Sequence, residues 1–379
     1  MGVRGQVAVV GAAKADDHSG HGRSPLGMAA QASARALADA GLSKADVDGV
    51  FTASAYHAFP ALSVSEYLGL DPRYVDGTNT GGCSFVSHLG HAAAAIAAGL
   101  CETALVTYGS TQRSDRGKLV SLSEWLAFEQ PYGLIHPIGS VAMIARRHME
   151  QYGTTSEHLA QVAVSARKWG VLNPDSEFTE SLTVDEVLAS RMIADPLHKL
   201  DCCLVTDGGA AVVLTSAERA KDLRRKPVYL LGTGEAVNHR NISAMPDLTA
   251  TRASDSASRA LSMAGRSLTE IDTAHVYDAF TITLLILLED LGLCPKGEGG
   301  PFVADGNIAP GGTIPVNPSG GGLAWRHPGM LGLFLILDAV EQLRGAAGGR
   351  QAPGATTSLV HGMGMTLAAH ATAVLSTEV

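Results

Sequence analysis

Arg35-Ala36-Leu37-Ala38-Asp39-Ala40-Gly41-Leu42-Ser43-Lys44-Ala45-Asp46-Val47-Asp48 reads as a helix end, a glycine stop and a fresh helix cap. The same order returns downstream. Arg35, Ala36, Leu37, Ala40, Gly41, Ser43 and Asp48 recur as Arg259, Ala260, Leu261, Ala264, Gly265, Ser267 and Asp272, at a constant spacing of 224 residues. Asp46-Val47 becomes Glu270-Ile271. A second echo follows: Thr103-Ala104-Leu105-Val106 after one helix, Thr357-Ser358-Leu359-Val360 after another. Two echoes in one order imply a duplicated α/β unit. The halves are expected at residues 1–225 and 226–379, joined near Ala217–Pro227. Helical signals at Val141–Tyr152 and Ser156–Trp169 make residues 111–200 an insertion in the first half, roofing a site at the strand ends.

A formal charge of −9 excludes a nucleic-acid binder, whose affinity comes from neutralising phosphates. The five cysteines are scattered and fit neither a disulfide framework nor a zinc site. His88 and His91 share a helix face, but no third ligand is read nearby, so no metal is expected. No apolar run reaches the ~18 residues that span a bilayer. Met1–Val10 carries no leader pattern, so a cytoplasmic location is expected, with no membrane partner.

Four stretches bear chemistry, each at a strand end or a helix start. They are Gly81-Gly82-Cys83-Ser84-Phe85, His275-Val276-Tyr277-Asp278-Ala279-Phe280, Asn317 to Gly329, and His361-Gly362-Met363-Gly364. Cys83 opens an alanine-rich helix, where the dipole and free N–H groups favour thiolate over thiol. His136, in the insertion, and His57, after a strand, are candidates to line the same pocket. Arg113, Arg116, Lys118 and Arg146-Arg147 are candidate cations for an anionic ligand. Gly362-Met363-Gly364 lacks the third glycine of a dinucleotide fingerprint, which excludes an NAD site.

These motifs, in this order, resemble the thiolase superfamily, and within it the sterol-carrier-protein-2 thiolase-like branch. Further signals are Cys203 to Ala211, Leu291-Gly292-Leu293-Cys294 and Val316-Asn317-Pro318-Ser319-Gly320-Gly321. The resemblance implies two βαβαβαββ halves in a five-layer α-β-α-β-α sandwich. It implies an acyltransferase that makes or breaks a carbon–carbon bond beside a CoA thioester. Cys83 then accepts the acyl group, and His327 in Arg326-His327-Pro328-Gly329 activates it. His361 stands for the family's second cysteine as acid/base. Tyr277 and Asp278 shape the oxyanion hole, while Trp325, Arg326, Gly321 and Gly362 border the substrate. Coenzyme A enters as substrate or product, with no tightly bound cofactor. Alternatives are a retro-aldolase on a β-hydroxyacyl-CoA, which in such relatives uses tyrosines, and C-acylation of a phenolic acceptor. A third is a subunit active only with a small OB-fold/zinc-ribbon partner. A homodimer or tetramer is implied as well.

Overall fold

The computed structural model describes residues 3–16, 22–115 and 127–379. Arg116 and Lys118 lie outside the described residues. Among the described residues eleven strands run β1 Val7–Lys14, β2 Gly49–Thr52, β3 Tyr74–Asp76, β4 Thr103–Ser110, β5 Met192–Ala194, β6 Leu197–His198, β7 Gly208–Ser216, β8 Val228–Val237, β9 Thr273–Val276, β10 Thr357–Gly364 and β11 Ala369–Ser376. Nine of them form one sheet in the order β3-β2-β4-β7-β1-β8-β11-β10-β9.

The order is palindromic. β2, β4, β7 and β1 of the first half match β9, β10, β11 and β8 of the second, with the same parallel and antiparallel pairings. The halves meet where β1 pairs antiparallel with β8, through Ala8–Tyr229 and Val9–Val228. Where the first half carries β3, the second has an isolated parallel bridge from Ala274 to Val316.

The 224-residue echo has a structural cause. Helices Pro25–Ala40 and Ala253–Ala264 both stop at a left-handed glycine, Gly41 at φ 77° and Gly265 at φ 61°. Ser43 and Ser267 then open one-turn helices with reciprocal capping by Asp46 and Glu270. Asp48 accepts the Thr103 N–H at 2.8 Å, and Asp272 accepts the Thr357 N–H at 2.9 Å. Each aspartate thus fixes where the neighbouring parallel strand, β4 or β10, begins. That is why the two threonine-led strands echo as well.

Helix Pro25–Ala40 covers one face of the first half-sheet and Ala253–Ala264 the corresponding face of the second. Helices Ser84–Ala97 and Gly332–Leu343 lie between, touching strands of both halves. This is the five-layer α-β-α-β-α sandwich. Between β4 and β7, helices Ile138–Tyr152 and Ser156–Val171 pack on helices of the second half.

His91 ties these layers by charge. Its Nδ1 is 2.6 Å from Asp76 Oδ2 and its Nε2 3.0 Å from Glu235 Oε1. Two carboxylates therefore do join the His88/His91 pair, as ion-pair partners. Among the described residues no group of three or more His, Cys, Asp or Glu could hold a metal. The bonds to Asp76 and Glu235 raise His91 to about 10. Its contribution to stability is complete below the ordinary histidine value of ~6.5 and fades as pH rises towards 10. The difference in Tm between wild type and His91→Gln should shrink across that window. A thermal melt series in pH checks this.

Candidate active site

Cys83 is the residue from which helix Ser84–Ala97 starts, and it is 1 % exposed. The glycines around it are required by close approach. A Cβ at Gly362 would stand 2.8 Å from Cys83 Cα, and one at Gly364 would stand 2.9 Å from Cys83 Sγ. A Cβ at Gly82 would run into the Tyr277 ring. Strand β10 and the start of the Cys83 helix thus meet backbone to backbone.

The thiol is 3.2 Å from Thr80 Oγ1 and donates towards the Thr80 carbonyl at 3.5 Å. Burial pushes it up to about 12. The helix start does not deliver a resting thiolate, because loss of hydration outweighs the dipole. Thr80 was not legible as a partner from the sequence. Its only signal is its place three residues before Cys83.

Tyr277 follows β9, and His327 follows the short helix Gly321–Ala324. The Tyr277 hydroxyl and His327 Nε2 are 3.1 Å apart, with the rings edge-on. The Leu331 N–H donates to the Tyr277 oxygen at 3.2 Å, which leaves the hydroxyl hydrogen for His327. Burial pulls His327 down to about 4, opposed by its own backbone carbonyl. Burial also pushes Tyr277 well above 10. At neutral pH the thiol, the phenol and the imidazole are all uncharged. His327 takes its hydrogen bond from Tyr277, and Cys83 makes its hydrogen bonds with Thr80.

Asp278 bonds to backbone. Its carboxylate accepts the Gly322 N–H at 2.7 Å and the Leu323 N–H at 3.3 Å. It therefore anchors the turn that carries His327. Gly321, at φ 59°, has no room for a side chain, since a Cβ would stand 2.8 Å from Asp278 Cγ. Burial raises Asp278 to about 7 against those N–H bonds. Asn317, which opens the third of the four stretches, clamps the backbone before Tyr277. Its amide accepts the Val276 N–H and donates to the Val276 carbonyl, both at 2.7 Å.

His361 lies on the other side of the sheet. Successive strand residues alternate faces, so Gly362 and Gly364 face Cys83 and His361 faces away. Its Nδ1 is 2.8 Å from Thr372 Oγ1, which is 2.8 Å from Ser256 Oγ on the outer helix Ala253–Ala264. The expectation that His361 faces Cys83 is corrected by one residue: the position on that side is Gly362.

Arg326 and Trp325 also turn away from the site. Arg326 Nη2 and Trp325 Nε1 both donate to Asp175 Oδ2, at 2.7 and 2.8 Å, and Lys14 pairs with the same carboxylate. The guanidinium lies 5.0 Å from the Trp325 ring centre. His136 pairs with Glu129 at 2.6 Å and Ser140 Oγ at 2.8 Å. Glu129 lines a cleft of ≈ 550 Å³ with Phe128, Tyr132 and Met245. His57 is half-buried in the loop after β2, and its Nε2 has no hydrogen-bond partner among the described residues.

The turn above Cys83 is strained. β10 and β11 pair in register up to Gly364–Ala369, leaving four residues, 365–368, to reverse the chain. Met365 at φ 56° and Leu367 at φ 55° are left-handed without being glycine. Such residues cost on the order of 1–3 kcal/mol each and persist only where neighbours hold them.

A family model described as thiolase C-terminal domain-like matches residues 234–377. A 17-hydroxy-3-oxo-4-pregnene-20-carboxyl-CoA lyase of Mycobacterium tuberculosis is 36% identical, over 90% of this chain and 92% of its own. A steroid side-chain-cleaving aldolase of Thermomonospora curvata is 34% identical, over 90% and 91%. An acetyl-CoA acetyltransferase of Methanothermobacter thermautotrophicus is 35% identical, over 89% and 91%. Among solved structures, an Ltp2–ChsH2(DUF35) aldolase superposes with a TM-score of 0.90 at 32% identity, covering 99% of this chain and 98% of that one. Human mitochondrial 3-ketoacyl-CoA thiolase shares the fold at a TM-score of 0.73 and 17% identity, over 99% of each chain. Fold, motifs and relatives agree: the chain belongs to the thiolase superfamily, in its sterol-carrier-protein-2 thiolase-like branch, and is an enzyme of that type.

Proposed function

We propose that this chain works on a carbon–carbon bond beside a CoA thioester, and that its reaction is the retro-aldol cleavage of a β-hydroxyacyl-CoA. The hydrogen bond from Tyr277 to His327 carries the reading, because the proton-handling pair is assembled there and not at Cys83. In the reaction the β-hydroxyl gives up its proton and the Cα–Cβ bond breaks. The bond's electrons pass into the thioester as an enolate. Tyr277 accepts the hydroxyl proton while handing its own to His327 Nε2. The proton then returns to the α-carbon, leaving a carbonyl compound and a shortened acyl-CoA. N–H groups at the start of the Cys83 helix support the enolate oxygen. The names of the lyase and the aldolase among the relatives support this reading.

Acyl transfer through Cys83 is the second reading. It is favoured by the thiol at the start of a 14-residue helix, with Gly362 and Gly364 clearing the space beside it. Incubation with a β-hydroxyacyl-CoA, followed by chromatography of the products and intact mass of the protein, separates the two. For the lyase, Cys83→Ser keeps the cleavage and no acyl adduct appears. An adduct that vanishes together with turnover in Cys83→Ser selects acyl transfer instead.

Arg146 and Arg147 border a second cleft of ≈ 470 Å³, which shares Met143 and Leu248 with the one at Glu129. We assign the CoA phosphates to these arginines. A second copy is proposed to pair along β3, whose outer edge has no partner among the described residues, whereas Val316 covers β9. A small partner subunit, as in the aldolase complex, would find exposed Phe128, Tyr132 and Ile135 to cover. No described helix is long and apolar enough to cross a membrane, and the cytoplasm is the proposed location.

A further inference from the structure

We propose that His239 and His370 are positioning residues that hold the 365–368 turn shut over Cys83, with His361 fixing the tautomer of His370. This rests on the placement of the site at Cys83 and goes beyond the reaction assigned to it.

The turn is gripped from two sides. On the Cys83 side its base has no slack. Gly364 packs on Cys83 Sγ, and a Cβ at Gly81 would stand 2.9 Å from the Met365 nitrogen. On the far side, three consecutive carbonyls of the turn each take one hydrogen bond. His239 Nε2 donates to Thr366 O at 3.0 Å, His370 Nε2 donates to Leu367 O at 3.1 Å, and the Asn238 N–H donates to Ala368 O at 3.1 Å. All three of these carbonyls flank or belong to the left-handed residues Met365 and Leu367. The strain and the histidine bonds therefore act on the same four residues.

The tautomers follow from the chain of partners. His370 spends its Nε2 hydrogen on Leu367 O, so its Nδ1 is a lone pair. His361 Nε2, 3.3 Å away with the rings stacked, must then be the donor. That leaves His361 Nδ1 to accept the Thr372 hydroxyl at 2.8 Å. Both rings are neutral, and burial lowers both. His361 thus reaches the site only through His370 and the turn. It is a supporting residue behind the sheet, not a group that touches substrate.

The test reads the accessibility of Cys83, and so needs no assumption about the reaction. The full chain is treated with iodoacetamide, and alkylation of the Cys83 peptide is followed by mass spectrometry. His370→Leu and His239→Leu should each raise the Cys83 labelling rate about tenfold or more, because a buried carbonyl left without its donor lets the turn open. His370→Gln, whose amide can still donate to Leu367 O, should return labelling towards wild type. His239 is at the rim of the core, so its variant serves if His370→Leu does not fold. Wild-type protection of Cys83 in the folded leucine variants overturns the proposal. So does a glutamine variant as exposed as the leucine one, since that makes packing and not donation the cause. If labelling behaves as expected while no β-hydroxyacyl-CoA is cleaved, the reaction assignment fails and the positioning role stands.

Discussion

Tyr277→Phe is expected to lower kcat by roughly 10²–10⁴-fold, the range for removal of a general acid–base group, with the chain still folded. The ring remains, so the packing against Gly82 and the edge-on contact with His327 remain. Only the hydroxyl goes. With it go the proton path to His327 Nε2 and the acceptor for the Leu331 N–H. The loss should fall on kcat, because CoA binding is assigned elsewhere, to the Arg146–Arg147 cleft. Steady-state kinetics on a β-hydroxyacyl-CoA measures it. Wild-type kcat in this variant would remove Tyr277 from the mechanism. The pH profile carries a matching signature. His327 is held at about 4 and Tyr277 well above 10. The pair therefore keeps its working protonation across the neutral range, and activity should fall only on acidification towards pH 4, where the imidazole fills its lone pair.

The largest loss of stability is expected from Asp338→Asn. Asp338 is fully buried on helix Gly332–Leu343. It accepts from His275 Nδ1 at 3.0 Å and the Ser319 N–H at 3.0 Å, and pairs with Arg350. These partners come from β9, from the Asn317–Ser319 turn and from the loop before β10. Burial alone would raise the carboxyl, but Arg350 and His275 outweigh it and hold it well below the usual range. An amide has one oxygen for three donors and turns an N–H₂ towards one of them. Breaking a buried charged pair from one side costs about 3–5 kcal/mol. Urea unfolding of both proteins at pH 7 tests this. The sign with pH is fixed too. A depressed carboxyl contributes in full above its ordinary value of ~3.9, and the contribution is lost as pH falls further. The gap between wild type and Asp338→Asn should therefore narrow below about pH 4.

The duplication was legible because local rules wrote it twice. A left-handed glycine stop, a serine cap and an aspartate that receives the neighbouring parallel strand's N–H groups leave the same letters at both sites. Glycines mark three of the four stretches for a similar reason: they are forced wherever backbones meet, as at Gly362 and Gly364. Besides Thr80, three features were not legible. The thiol at Cys83 rests protonated because burial outweighs the helix start, and burial is a tertiary property. Arg326 and Trp325 turn away because Asp175, about 150 residues earlier, offers them a carboxylate. His361 was misplaced because motif spacing does not carry strand parity: one residue along a strand is the opposite face. The hairpin could have exposed that error. Pairing across a four-residue turn puts His370 opposite Met363 and on the same face as His361. The two histidines therefore belong together, away from the glycines.

The seam between β1 and β8 bears on how the chain is made. β1, Val7–Lys14, lies at the middle of the sheet, with β7 on one side and β8 on the other. Both neighbours lie some two hundred residues downstream. Until β7 has emerged the central strand waits with neither partner, and until β8 has emerged with only one, a long-range closure of the kind that slows folding. The two halves of the site cannot mature separately. Cys83 is synthesised well before β10, the strand that presents Gly362 and Gly364 to it.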